Sequence, residues 1–101
     1  MLATLTADHF APHVGSEFLY HAPDGNRYAL TLTEATALNT PGVKAPAALR
    51  PPFSLLFLGP PEPILPQAIY PLEHAAMETL PIFIVPVGRT AEGIQYQAVF
   101  N

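Results

Sequence analysis

The sequence predicts an all-β domain, a small antiparallel barrel or sandwich of about six strands after one short N-terminal helical turn. Three observations carry this. Apolar and polar residues alternate with period two on both sides of Asp24-Gly25 and again over Ile94–Phe100. The most apolar run, Phe53–Leu58, has Pro51-Pro52 before it and Gly59-Pro60-Pro61 after it, which is strand length and not helix length. Proline is 13 of 101 residues, well over twice the usual ~5%, and its blocks read as fixed turns.

Taken in order, Thr6–Ala11 suits one helical turn capped by Thr6 and stopped by Pro12 and Gly15. Phe18 and Tyr20 then share one side of a strand, with Glu17, Leu19 and His21 on the other. Pro23-Asp24-Gly25-Asn26 follows, and Asp-Gly between alternating runs predicts a hairpin with a type I′ turn. The return strand sets Tyr28, Leu30 and Leu32 inward and Arg27, Ala29, Thr31 and Thr33 outward. Its phase breaks after Leu32. Continued alternation would put Glu34 and Thr36 inward, so either the strand leaves the sheet there or a bulge resets its register. Asn39–Arg50 reads as a loop.

Phe53–Leu58 has two apolar faces. Phe53, Leu55 and Phe57 can fill a core, which leaves Leu56 and Leu58 to be covered by the Asn39–Arg50 loop or by another chain. Ala68–His74 is a short strand that Pro71 places at an edge. Leu80–Val87 is apolar on both faces. Gly88–Gly93 reads as a six-residue hairpin loop, and Ile94–Phe100 as the last strand. Ile94, Tyr96, Ala98 and Phe100 face inward there, with Gln95, Gln97, Val99 and Asn101 outward. One domain over residues 1–101 is the expected count.

Charge is sparse. Charged residues are 12% of the chain, about half the usual share. Four basic residues against eight acidic ones give 4 − 8 = −4, too little positive charge to neutralise a phosphate backbone, so nucleic acid is not an expected partner. There is no cysteine, which excludes disulfides, thiolate metal sites and cysteine nucleophiles. The N-terminus lacks a signal-peptide pattern, and no run is long enough for a spanning helix. The expected location is therefore cytoplasmic, or carried in an exported assembly, with no membrane insertion. Low charge suggests either surface covered by a protein partner or by self-association, or equally a small neutral β domain with polar Thr, Gln and Asn outside.

Few residues suggest chemistry. His9 and His13 have helical metal-ligand spacing, but Pro12 lies between them and the HExxH pattern is absent. His21 and His74 are distant in sequence, so four unrelated histidines and no metal or cofactor are expected. Ser54 lacks a nucleophile elbow. Glu73 and His74, adjacent on a strand, point to opposite faces and cannot form a dyad. No catalytic residue is assigned. The candidate interface is Leu56, Leu58, Val99, Gln95 and Gln97. Tyr20 and Tyr70 are candidate ligand contacts, because tyrosine suits a half-buried site.

Several blocks together resemble a known family. They are Phe10-x-x-His13-Val14-Gly15-x-x-Phe18, Leu30-Thr31-Leu32, Pro52–Phe57 with Gly59-Pro60, Leu65-Pro66-Gln67-x-x-Tyr70-x-Leu72-Glu73-His74, Phe83–Gly88 and Tyr96–Asn101. The pattern is similar to an uncharacterised family of bacterial proteins of about 100 residues, a domain of unknown function. Ala75-Ala76-Met77-Glu78 departs from it where a proline and a glycine are expected, which puts the turn before Leu80 in question. The resemblance implies proximity to phage-tail-collar-like proteins, and so a non-enzymatic assembly or adaptor role with no active site to carry over. The expected function is a protein-binding or structural subunit of a phage-tail-like or fibre-like bacterial assembly. The alternatives are a small barrel binding a sugar or an apolar molecule, and, behind it, a histidine-dependent hydrolase.

Overall fold

The computed structural model describes residues 7–37 and 52–100. These form one short helix, α1 (Ala7–Phe10), a 3-10 turn (Ala11–His13) and six strands. The strands are β1 (Glu17–His21), β2 (Arg27–Ala37), β3 (Phe53–Gly59), β4 (Ala68–His74), β5 (Met77–Arg89) and β6 (Ile94–Phe100). They close into an antiparallel barrel in the order β1-β2-β3-β6-β5-β4, so of the two expected architectures the barrel forms. The Thr6 cap, the Asn39–Arg50 loop and Asn101 lie outside the described residues.

Alternation decides what is inside. Along β3, Phe53, Leu55 and Phe57 are buried, as are Ile94, Tyr96, Ala98 and Phe100 along β6. Side chains fill the interior, and Leu30, Leu32, Leu72, Ile82 and Ile84 complete it. One end is plugged by α1. Its Phe10 is fully buried against Phe18, Phe53 and Phe100, at ring distances of 6.4, 5.7 and 6.2 Å. Burying such a ring is worth about 1.5–3 kcal/mol. In the connection between β3 and β4, the Leu65 N–H donates to the Tyr96 hydroxyl at 2.9 Å.

β2 and β5 each serve two neighbours. β2 pairs with β1 from Arg27 to Thr31 and with β3 from Thr31 to Ala37. β5 pairs with β4 as far as Ile84 and with β6 from Val85 onward. A closed barrel needs bends, and bulges supply them. One lies between Leu32 and Glu34, where the Thr33 hydroxyl donates to the Leu56 carbonyl at 3.0 Å. This bulge turns Glu34 outward and exposes it, so the alternative with Glu34 in the core does not occur.

Two turns differ from expectation. Gly25 N–H donates to the Ala22 carbonyl at 3.0 Å and Ala22 N–H to the Asn26 carbonyl at 2.8 Å. Within this turn only Gly25 has positive φ, +90°. A type I′ turn needs positive φ at both central residues. Here Pro23 and Asp24 occupy the centre, and proline's fixed negative φ favours a type I turn followed by a glycine bulge. In the second case β5 continues through Gly88 to Arg89, so the last hairpin loop is Thr90–Gly93 and not Gly88–Gly93. The register shift between Pro86 and Gly88 absorbs the glycine into the strand. At the family departure, Ala75-Ala76 makes the turn from β4 to β5.

Candidate functional site

Residues directly opposite in an antiparallel pair share a face. Leu56 stands opposite Gln97, Leu58 opposite Gln95 and Ser54 opposite Val99. The five candidate interface residues therefore meet in one patch on the outside of β3 and β6. Gln97 and Val99 are exposed, while Leu56, Leu58 and Gln95 are half-buried. Val85 joins the patch opposite Gln97.

The patch continues across β5 onto β4. Ile69, 65% exposed, faces Phe83, 46% exposed, and Pro71 faces Pro81. Neither proline has an N–H to exchange, so theirs is a non-hydrogen-bonded pair with side chains close together. The sequence showed Leu80–Val87 as apolar on both faces, but only the β4–β5 register reveals that Phe83 meets Ile69. This outer surface of β3, β6, β5 and β4 carries no charged residue at positions 54, 56, 58, 69, 71, 81, 83, 85, 95, 97 or 99. Glu34 borders it beside Leu56, and Glu73 follows Pro71 at its other margin.

The histidines are not four unrelated residues, which corrects the expectation. Pro12 does break the register between His9 in α1 and His13 in the 3-10 turn. His13 instead packs edge-on against His74, with ring centroids 4.6 Å apart, and Phe18 lies 4.6 Å from the same ring. His74 is 8% exposed. Its Nδ1 accepts the Ala76 N–H at 2.9 Å, which assigns the neutral ring's proton to Nε2. That N–H donates to Ser16 Oγ at 2.8 Å, and Ser16 Oγ donates to the His13 carbonyl at 2.6 Å. Burial first, and the neighbouring His13 second, holds His74 below the ordinary imidazole value of 6.5.

Ser16 and His74 are 58 positions apart, and no spacing rule joins them. Their roles are reversed from a nucleophile and its base. The imidazole donates to the hydroxyl, and its lone pair is taken by a backbone amide. Neither a free hydroxyl proton nor a free Nε2 lone pair remains for general-base activation. Glu73 points away from His74 and meets His21 at 3.3 Å on the surface. Among the described residues, no three or more His, Asp and Glu side chains are grouped to hold a metal ion. Ser54 lies half-buried between Thr36 and Val99.

The two candidate ligand contacts are core-side residues. Tyr70 is 7% exposed and its hydroxyl donates to the Pro66 carbonyl. Burial above all, then Tyr20 and Tyr96, raises its pKa above 10.0. Tyr20 is half-buried and packs edge-on against Tyr70 at 4.7 Å.

Among the described residues no helix is long and apolar enough to cross a membrane. Neither the curated proteins nor the solved structures give a match to the chain. A family profile does match, over residues 5–100. That range takes in both the uncharged outer face and the Ser16–His74 junction, and the chain belongs to the family described as Domain of unknown function (DUF6916).

Proposed function

We propose that this chain is a non-enzymatic protein-binding domain that docks a protein partner through the outer surface of β3, β6, β5 and β4. One observation carries the reading. The Ile69–Phe83 and Pro71–Pro81 pairs run on through Val85 to Leu56, Gln97 and Val99 without a charge. A soluble surface is normally charged and patch-free, and a contiguous apolar face marks an interaction site. A phage-tail-like or fibre-like assembly is the setting that the sequence blocks and the low charge favour. The ligand-binding alternative has less support, because side chains fill the barrel and Tyr70 is committed to Pro66.

Phe83→Asp tests this reading. Phe83 is 46% exposed, so the variant is expected to keep its circular dichroism. It is also expected to lose either self-association by light scattering or the partner that co-purifies with the wild type from the native host. A folded Phe83→Asp protein with unchanged mass and unchanged partners overturns the reading. Leu56→Asp is the companion variant for the β3–β6 half of the face. Its half-buried position makes some loss of stability part of the expected result.

A further inference from the structure

We propose that His74 is a pH-sensitive latch that holds the barrel closed between β1 and β4 and opens that junction in acid. This goes beyond the docking surface and does not depend on it. The β1–β4 junction has a single backbone pair, Leu19 with Glu73. Side chains supply the rest of the closure. On the inner side, His74 contacts Ser16 and the Phe18 ring, and Tyr20 contacts Tyr70. Ser16 is itself tied to β2, because its carbonyl accepts the Leu32 N–H at 3.0 Å. One imidazole thus links the β4–β5 turn to β1, to β2 and to the 3-10 turn behind α1.

The latch works only in the neutral form. A proton on Nδ1 would set a ring N–H against the Ala76 N–H, replacing a hydrogen bond with two opposed donors. It would also place a cation in a buried site beside His13. Among the described residues no carboxylate is paired with it. On β1, Glu17 is exposed on the side opposite Phe18. On β4, Glu73 lies on the outer face with His21. Glu78 of β5 and Asp8 and His9 of α1 are exposed. The neighbouring His13 imidazole adds to burial in disfavouring protonation of the ring. A buried charge without a partner leaves its site, and with it go the contacts to Ser16 and Phe18.

The sign follows from linkage. The unfolded imidazole takes up its proton near 6.5, and the folded His74 only at lower pH. Closure is therefore fully stabilised above 6.5 and weakens as the pH falls below it toward the folded value.

The test is hydrogen exchange of the whole chain from pH 7.5 to 5, corrected for intrinsic rates. Protection over residues 17–21 and 68–76 is expected to fall by up to about tenfold per pH unit below 6.5, while β3 and β6 keep theirs. His74→Phe retains a ring against Phe18 and is expected to abolish that pH response; His21→Ala is expected to leave it intact. Unchanged protection in the wild type, or an unchanged pH response in His74→Phe, overturns the proposal. Should His74→Phe not fold, the His74 ring resonances of the wild type decide. The Nε2–H tautomer with titration below 6.5 supports the latch, and titration at or above 6.5 overturns it.

Discussion

The barrel has two contrasting junctions. β3 and β6 pair without interruption from Phe53–Phe100 to Gly59–Ile94, so backbone hydrogen bonds and stacked inner residues hold them. β1 and β4 share one backbone pair, and side chains do the rest. A ladder adds one backbone bond for each residue that it fixes, and those bonds do not pass through any side chain. A junction made by a few side chains depends on each of them, and on the protonation state of one. Local opening concentrates where backbone pairing is sparse. In this molecule that is the side closed by His74, Ser16 and Phe18.

The largest effect is expected from breaking the strong junction where backbone meets backbone. Gly93 precedes β6 with φ +154° and is buried. A Cβ there would run into the Gly59 carbonyl oxygen at the end of the β3–β6 ladder. The backbone cannot yield as a flexible side chain would. Gly93→Ala is expected to cost about 3 kcal/mol or more through overpacking and strain. Urea unfolding measures this. A midpoint within error of the wild type would show that the ladder's end is soft and that the two junctions differ less than the register implies.

Ser16→Ala addresses the weak junction and should cost less. It removes the acceptor of the His74 N–H and leaves that donor buried, at about 1–3 kcal/mol. It should also raise exchange over residues 17–21 while β3 is unaffected. Equal loosening of β1 and β3 would mean that the barrel opens as one cooperative unit, and the contrast between junctions would be lost.

That contrast also governs what the sequence could reveal. Ile94–Phe100 announces its faces by alternation, whereas Phe53–Leu58 is apolar on both faces and its strand period only groups Phe53, Leu55 and Phe57 on one side. The break after Leu32 was legible as a lost phase, since a bulge shifts every later residue to the other face. The turn at Asp24-Gly25 was placed but mistyped, because Pro23 at the turn's first central position outweighs the tolerance of Asp24 for positive φ. The five interface candidates fall in one patch because outward positions of paired strands line up. Ile69 with Phe83 and Ser16 with His74 were not legible. The first pair exists only through the register of two strands and the second through the way the segment before β1 meets the end of β4, and no periodicity within one strand encodes either. His74 reads in the sequence only as an isolated histidine facing away from Glu73, and its partners His13, Ser16 and Phe18 come from the other end of the chain.

The smallest expected effect lies on the outer side of the same junction. His21 and Glu73 meet at 3.3 Å with their side chains 48% and 53% exposed. The imidazole carries a charge only when protonated, and half-exposed pairs are screened by water and salt. Such pairs contribute about 0–1 kcal/mol, so His21→Ala at pH 7 is expected to shift stability by no more than about 0.5 kcal/mol. Its value lies in comparison with Ser16→Ala. Both variants remove one side-chain link between the Ser16–His21 segment and the β4–β5 hairpin, one at the surface and one in the interior. If burial sets the strength of the link, Ser16→Ala unfolds at clearly lower urea and His21→Ala is nearly silent. An equal cost for the two would place the closure on the outside of the barrel. His74 would then be a filler of the core and not what holds β1 to β4.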